Sequence, residues 1–404
     1  MNYKKRVFYL ASGVVSMLFA GIIYAWSILK MPLEEAFGWS PPQMALNFTL
    51  TMCFFCIGGL VSGLLLRQGK SPKAITLIAA LLSALGFLLS SRLAGQIIHL
   101  YLCYGLMCGL GIGMAYNVII ASTGAWFPDK KGTCSGVLMM GFGASALVLR
   151  GLLGFMIDSV SLGWRQTYVV LGTAMGIILL LESLIIRFPP RDMEIPKPGQ
   201  AKKESAGSEI IPRDFTTAEM IKRSSFWRFF LFSISIAAVG ITVISFAKDL
   251  SLSVGASGAL ATTLVGVLSV CNGVGRILCG VIFDAAGRRK TMLLASALTI
   301  AAISLGMLAI TTGSLTVCVL GLCVTGLAYG CGPTISSAFV SSFYGTKNFA
   351  MNFSAGNSML IPASFVATLS AGLASSTGSY AASFFTLFFI ALIGLGLNLS
   401  LKQP

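Results

Sequence analysis

The chain of 404 residues is 56% hydrophobic and only 10% charged, with a mean hydropathy of +0.87. Because soluble domains carry about 25% charged residues, this composition excludes an ordinary soluble protein and indicates a polytopic membrane protein. The net charge of +15 would suit a nucleic-acid-binding protein, but the distribution of the basic residues along the chain excludes that class.

Twelve apolar segments of membrane-spanning length can be drawn along the chain. Since a helix needs about 20 apolar residues to cross a bilayer, each segment is predicted to be one transmembrane helix of an all-α fold. They cover residues 7–29, 43–66, 73–91, 97–121, 133–157, 166–187, 226–248, 258–283, 290–311, 314–338, 349–374 and 379–401. Gly332 and Pro333 interrupt the tenth segment, so its end is bounded only weakly.

The basic residues indicate the topology of these spans. Placing them on alternate sides of the bilayer puts 22 of the 28 Lys and Arg residues on one side and four on the other. Arg150 and Arg276 are the remaining two and fall inside spans. By the positive-inside rule, both termini are predicted to be cytoplasmic, and we expect the chain in a bacterial cytoplasmic (inner) membrane.

A long polar stretch between spans six and seven is rich in Pro, Lys, Glu and Ser, as flexible linkers are. It divides the chain into an N-terminal six-helix bundle over residues 1–187, a cytoplasmic linker over 188–225 and a C-terminal six-helix bundle over 226–404. Near its end a short helix is predicted, capped at Thr216 or Thr217 with an acid in the first turn.

The two halves match each other at a single shift of 217 residues. Among four matches in the same order, this shift aligns GLGIG at 109–113 with GLAYG at 326–330, and Gly63 with Gly280. An internal duplication of this kind is typical of transporters whose substrate site lies near mid-membrane, between related halves.

Arg276 lies well inside the eighth span, eight residues before Asp284, which corresponds to about 12 Å of helix. A guanidinium at mid-depth costs at least about 2.5–3.5 kcal/mol, and it does not lose its proton. An anionic ligand is the simplest compensation, because the planar fork of the guanidinium matches a carboxylate. The alternative is a structural arginine satisfied by backbone carbonyls or by an acid across the bundle.

Several motifs point to one known family. The segment GVIFDAAGRRK (280–290), between spans eight and nine, resembles the loop signature of the major facilitator superfamily. Others resemble one branch, the oxalate/formate antiporter family and its monocarboxylate-transporter relatives. They are AGIIYAWSILKMPLEEAFGWS (20–40), SLGWRQTY (161–168), FTTAEMIKRSSFW (215–227) and NGVGR (272–276). The resemblance implies two pseudo-symmetric six-helix bundles and secondary transport of small organic anions.

The resemblance also implies roles for residues of the eighth and eleventh spans. Arg276 would pair with the substrate carboxylate, and Asn272, one turn away on the same helix face, would line the cavity. In many monocarboxylate–proton symporters the position of Asn272 is an acid that takes up the proton. The intramembrane lysine of oxalate antiporters aligns with Leu360, so monocarboxylates such as formate, lactate or pyruvate are expected ahead of short dicarboxylates such as oxalate.

Further residues are expected to line the substrate site. The resemblance favours Tyr24, Tyr116 and Tyr329 as hydroxyl donors or lids, and Asn357 is a polar candidate in the eleventh span. Such residues also serve helix packing, so a structural role stays open for each. Arg150 is either a second cation of the substrate site or a side chain that reaches the outer interface.

Two other groups of charged residues lie near predicted span ends. Asp284, Arg288 and Arg289 are expected to form a gate latch between helices, with the acid capping a helix end across the bundle. Glu182, five residues before Arg187, is expected at the membrane interface, with a buried proton site as the alternative.

Anion exchange by alternating access is the first functional hypothesis, because an empty site would leave Arg276 uncompensated. Proton-coupled monocarboxylate symport is the alternative, ahead of a non-transporting sensor and an exporter of hydrophobic cations. No enzyme is expected, since no catalytic constellation appears, and no cofactor or metal is expected. The expected partners are a small carboxylate anion, a proton in the symport alternative, and the lipid bilayer, with no nucleic acid and a monomeric state.

Overall fold

A computed structural model describes residues 3–158, 163–190, 214–377 and 379–401. These residues are almost entirely helical and contain no β-strand. The helices are α1 (Tyr3–Ala20), α2 (Trp26–Leu29), α3 (Met31–Phe37), α4 (Pro41–Arg67), α5 (Pro72–Ser90), α6 (Ile97–Leu100), α7 (Gly109–Gly124), α8 (Lys131–Asp158), α9 (Gly163–Ile185), α10 (Thr217–Ile221), α11 (Ser224–Ser253), α12 (Gly258–Thr312), α13 (Leu315–Phe343), α14 (Phe349–Asn357), α15 (Leu360–Thr377) and α16 (Tyr380–Leu399). A 3-10 segment, Gly21–Ala25, joins α1 to α2, and a π-helix, Tyr101–Cys108, joins α6 to α7.

Eleven helical stretches among the described residues are long and apolar enough to cross a membrane. One of them, α12, has 55 residues and bends at Gly287, where φ is 78° and ψ is 171°. Glycine adopts this conformation without the steric cost that a Cβ brings, so one helical arm ends here and a second begins. The two arms are the predicted eighth and ninth spans, and each of the twelve predicted segments coincides with helix.

Local sequence signals account for where several helices begin. Ser40 and Gln43 form a capping box at the start of α4, which opens on Pro41. The short helix α10 begins in the same way, because Thr216 Oγ1 accepts from the Glu219 amide at 3.3 Å and Glu219 Oε2 accepts from the Thr216 amide at 2.8 Å. The predicted short helix with its cap at Thr216 and its first-turn acid is confirmed.

The tenth span differs from the expectation that Gly332 and Pro333 weaken its end. Helix α13 continues through Pro333 as far as Phe343. A proline removes one helical hydrogen bond, but membrane helices tolerate it where neighbouring helices and hydroxyl side chains satisfy the freed groups.

The described residues form two compact units. Unit 1 comprises those within Met1–Lys130, Gly141–Ile211 and Thr346–Ala355, and unit 2 those within Lys131–Met140, Pro212–Gly345 and Gly356–Pro404. Helix α8 therefore begins in unit 2 and continues in unit 1. Residues 191–213 of the predicted linker lie outside the described residues, and the predicted domain boundaries stay a prediction.

Unit 1 is held together by close helix contacts and an aromatic cluster. Helix α7 approaches α4 so closely that a Cβ on Gly113 would lie 2.0 Å from the Phe55 carbonyl oxygen, which is the small-residue packing of membrane helices. The Tyr116 ring packs against Phe55 at 5.1 Å and against Phe142 at 4.9 Å between centroids. These contacts place α4, α7 and the later part of α8 side by side.

Unit 2 has a continuous apolar core between α11, both arms of α12, α13 and α16. The largest buried contributors are aliphatic and aromatic side chains of these helices, among them Val243, Phe246, Leu250, Leu264, Leu268, Ile303, Leu322, Phe384 and Leu387. This core fixes the first arm of α12, the helix that carries Arg276.

Candidate functional site

Arg276 is buried inside unit 2, with 2% of the residue exposed. Its Nη1 donates to the backbone carbonyl of Met139, and its Nε donates to Asn272 Oδ1 at 3.3 Å. A guanidinium has five N–H donors, and no hydrogen bond joins Nη2 to a described residue. The side chain is thus anchored on one edge and keeps donors for another acceptor.

No carboxylate of the described residues forms an ion pair with Arg276. The close ion pairs recorded within the described ranges join Arg6 to Asp129 and Lys30 to Glu34. A buried charge without a counter-ion costs several kcal/mol, and two neutral acceptors offset only part of that cost. The arrangement is suited to an anion that completes the shell of the guanidinium.

The crossing of α12 and α13 positions Arg276 through glycine contacts. A Cβ on Gly330 would lie 2.3 Å from the backbone carbonyl oxygen of Asn272 and 3.0 Å from the backbone nitrogen of Arg276. A Cβ on Gly275 would lie 2.5 Å from the Leu327 carbonyl oxygen. The two backbones touch at this point, so the side chains of Arg276 and Asn272 are held at a rigid crossing.

The first turns of α8 complete the surroundings of Arg276 within unit 2. A Cβ on Gly136 would lie 2.4 Å from the Arg276 carbonyl oxygen, and one on Gly280 would lie 2.3 Å from the Gly132 carbonyl oxygen. This close approach brings the Met139 carbonyl to the guanidinium.

Two hydroxyl contacts tie the same three helices together. Ser135 Oγ and Ser337 Oγ are 2.8 Å apart, and Thr334 Oγ1 donates to the Arg276 carbonyl at 3.2 Å.

Sequence reasoning did not find Met139, because a backbone carbonyl has no residue-type signature. The glycines at 132 and 136, one helical turn apart, are the signal that could have indicated a close crossing.

Asp284 caps the start of α8. Its Oδ1 accepts from the Gly132 amide at 2.9 Å, and its Oδ2 accepts from both the amide and the hydroxyl of Thr133 at 2.7 Å. A carboxylate at a helix N-terminus satisfies otherwise unpaired N–H groups and complements the helix dipole. The role of Asp284 as part of a gate stays a prediction.

Replacing Asp284 with Ala should loosen the first turn of α8. The loss of a helix cap costs about 0.5–2 kcal/mol, so we expect a lower melting temperature in detergent and faster hydrogen exchange at the amides of Gly132 and Thr133. Asp249→Ala, which removes an exposed carboxylate of α11, is the control. Unchanged exchange at these two amides would contradict the cap.

The two arginines of the predicted gate latch lie in the second arm of α12. Arg288 Cζ lies 4.7 Å from the centroid of the Phe343 ring, a cation–π contact, whereas Arg289 is exposed. Nearby, Tyr344 OH and Ser225 Oγ are 2.9 Å apart, and burial raises the pKa of the Tyr344 phenol to about 12. These groups bind helix ends of unit 2 together, and a gating role for Arg288 and Arg289 remains a prediction.

The remaining predicted site residues are divided between the two units. Tyr24, in the 3-10 segment, and Tyr116 both pack against the Phe142 ring in unit 1. In unit 2, the buried Tyr329 ring covers Gly240, whose Cβ would lie 2.2 Å from Tyr329 Cδ2. The structure therefore brings Arg276 and Asn272 into contact and places the tyrosines in aromatic or glycine packing.

Asn357 and Arg150 are the last two of the predicted substrate-site residues. Asn357 ends α14 in unit 2 and is 6% exposed. The backbone of Arg150 belongs to α8, but its side chain lies outside the described part of the chain. Whether Arg150 lines the site or reaches the interface stays a prediction.

Comparison with known proteins identifies the family to which the chain belongs. The family profile described as Major Facilitator Superfamily matches residues 9–359. The uncharacterized MFS-type transporter YhjX of Escherichia coli K12 is 24% identical over 356 residues, covering 87% of this chain and 84% of the relative. The oxalate:formate antiporter of Oxalobacter formigenes is 26% identical over 288 residues, covering 71% of this chain and 65% of the antiporter. Mouse monocarboxylate transporter 12 is 32% identical over 123 residues, which span 30% of this chain and 24% of that transporter.

Solved structures support the same fold. The proton:xylose symporter XylE superimposes with a TM-score of 0.76 at 14% identity, covering 100% of this chain and 97% of XylE. The Escherichia coli fucose:proton symporter FucP gives a TM-score of 0.68 at 14% identity, covering 99% and 100%. Identities this low show the fold alone, which is the twelve-helix fold predicted from the apolar segments. The chain is an integral membrane protein of the major facilitator superfamily.

Proposed function

We propose that this protein is a secondary transporter of small organic anions, working by alternating access, and that Arg276 binds the carboxylate of the substrate. Monocarboxylates such as formate, lactate or pyruvate are the proposed substrate class, ahead of short dicarboxylates such as oxalate. Exchange of one anion for another is the proposed mode of transport.

The observation that carries this proposal is the incomplete set of hydrogen-bond acceptors around the Arg276 guanidinium. The side chain is buried and anchored by Met139 and Asn272 through neutral acceptors, and no carboxylate among the described residues neutralises it. A guanidinium binds a carboxylate through two parallel N–H···O bonds, so an anionic substrate would supply both the charge and the acceptors.

The names of the relatives support the same substrate class. One relative is named for exchange of oxalate and formate, and others are named monocarboxylate transporters. At 26–32% identity these names support small carboxylates as a class and leave the individual anion to experiment.

The proposed mode follows from the electrostatics of the empty site. An empty carrier would have to close around an uncompensated cation, whereas an occupied one closes around a neutral pair. Each half-cycle should therefore be faster with anion bound, which favours exchange.

Counterflow in vesicles tests both the function and the mode. Liposomes that contain the purified protein and are loaded with formate, lactate or oxalate should take up the labelled anion faster than liposomes that contain the protein and no internal anion. Uptake that is indifferent to the internal anion would contradict exchange, and no uptake of any carboxylate would contradict the proposed function.

The remaining site residues enter the proposal with defined roles. Asn272 orients Arg276, the hydroxyls of Tyr24, Tyr116 and Tyr329 face the small anion, and Asn357 and Arg150 add polar lining. Asp284, Arg288 and Arg289 act in closing the site towards the cytoplasm, the side on which we place both termini. These roles rest on the family resemblance and on the positive-inside rule.

Leu360 is a position at which the substrate preference can be changed. It opens α15 and is 7% exposed, and the antiporter lysine aligns with it. We expect Leu360→Lys to raise the preference for oxalate over formate, because two cations match a dianion. Leu360→Gln adds polarity without charge and serves as the control. Competition of the two anions for labelled uptake measures the ratio, and an unchanged ratio would show that this position is remote from the substrate.

A further inference from the structure

Unit 1 contains a buried carboxylate that the anion site does not use. Glu182 lies in α9 and is 3% exposed, so its side chain is enclosed by the protein. Ser16 Oγ of α1 donates to its Oε2 at 3.2 Å. An ionisable side chain inside a membrane bundle is by default a functional candidate.

The described surroundings hold no cation for Glu182. On α1, Arg6 is paired with Asp129 and Lys5 is exposed. On α5, which packs along α9, Lys73 is the one charged side chain and is exposed. Arg187, which follows α9, donates to the phenolic oxygen of Tyr9.

Farther along α9, Arg165 and Tyr168 bind groups other than Glu182. Arg165 donates to the carbonyls of Ser91 and Leu93, and Tyr168 donates to the Leu29 carbonyl. The groups that act on the Glu182 carboxylate are the hydroxyls of Ser16 and Ser12. An unpaired buried carboxylate is far less costly when it is protonated than when it is charged.

Two serine hydroxyls are a sparse shell for a charged carboxylate at this buried position. Ser16 Oγ donates to Glu182 Oε2 at 3.2 Å, whereas Ser12 Oγ donates to the Tyr9 carbonyl at 3.2 Å and has only one hydrogen to give. A carboxylic acid carries an O–H donor of its own and no charge, so the neutral form is less dependent on further donors.

We propose that Glu182, with Ser12 and Ser16, is a proton-binding site of this transporter. In this role the carboxylate takes up one proton and becomes a neutral acid, and it releases that proton and becomes charged again when water reaches the site. A sodium ion fits less well, because two hydroxyls and one carboxyl group are too few oxygens for a closed metal shell. The proposed coupling of protons to transport rests on the proposed anion transport. Arg276 would support the exchange of one anion for another, and a proton bound to Glu182 would allow net uptake of the anion together with that proton.

Infrared spectroscopy of the purified protein tests the site without any transport. The spectrum of the wild type at neutral pH should contain the carbonyl band of a protonated carboxyl group, and Glu182→Gln should remove it. Glu35→Gln, an exposed glutamate of α3 in the same unit, should leave the band in place. A wild type without this band at neutral pH would overturn the proposal, even if anion transport is absent.

Transport in liposomes tests the coupling. An inward proton gradient of about one pH unit should drive up to about tenfold anion accumulation for one proton per anion. In Glu182→Gln this accumulation should be lost while counterflow in the absence of a gradient is kept. Accumulation that persists in the variant, or that follows a sodium gradient at fixed pH, would overturn the assignment of a proton to Glu182.

Discussion

Arg276→Gln is expected to abolish carboxylate uptake while the protein still folds. Removing one partner of a buried, charge-assisted pair costs about 2–5 kcal/mol, which weakens anion binding by roughly 30- to 5,000-fold. Folding should be preserved, because Gln retains a polar side chain for Asn272 and removes an unpaired buried charge. Counterflow and the thermal shift produced by added carboxylates are the two measurements.

Arg276→Lys separates charge from geometry. Lysine keeps the positive charge but loses the planar fork that holds two oxygens at once, so we expect weak binding with a much higher concentration for half-maximal uptake. Arg228→Gln serves as the control, because its Nη1 donates to the Ser400 carbonyl at an exposed position. If Arg276→Gln transports like the wild type, carboxylate binding at this residue is refuted.

The order and extent of the spans could be predicted from the sequence, because bilayer thickness sets helix length. The break between spans eight and nine was expected around residues 284–289, and the helix bends at Gly287. The cap at Thr216 could also be predicted, since its signal is local. Each of these features depends on residues within one or two helical turns.

The packing around Arg276 could not be predicted in the same way. The Met139 carbonyl is 137 residues away in the sequence, and its position depends on how α8 crosses α12. The burial of Glu182 could not be predicted for the same reason, because it comes from α1 packing over α9. Contacts between distant helices leave only weak traces, such as the glycines spaced along α8 and α12.

Gly330→Ala is expected to disrupt the anion site without changing any residue that contacts the anion in our proposal. The added Cβ would lie 2.3 Å from the Asn272 carbonyl oxygen and 3.0 Å from the Arg276 nitrogen, and both are backbone atoms that cannot turn aside. Overpacking of this kind costs about 1–3 kcal/mol, and it moves α13 away from α12. We expect a lower melting temperature together with loss of the carboxylate-induced thermal shift.

Gly266→Ala provides the matched control on α12, the other helix of this crossing. Nothing lies within 4 Å of a Cβ at that position, so the same methyl group should leave stability unchanged or slightly raised, since alanine favours helix by about 1 kcal/mol over glycine. If both variants bind carboxylates equally well, the close contact of α12 and α13 does not position Arg276. If only Gly330→Ala loses binding, the anion site depends on the helix crossing as well as on the charge of the guanidinium.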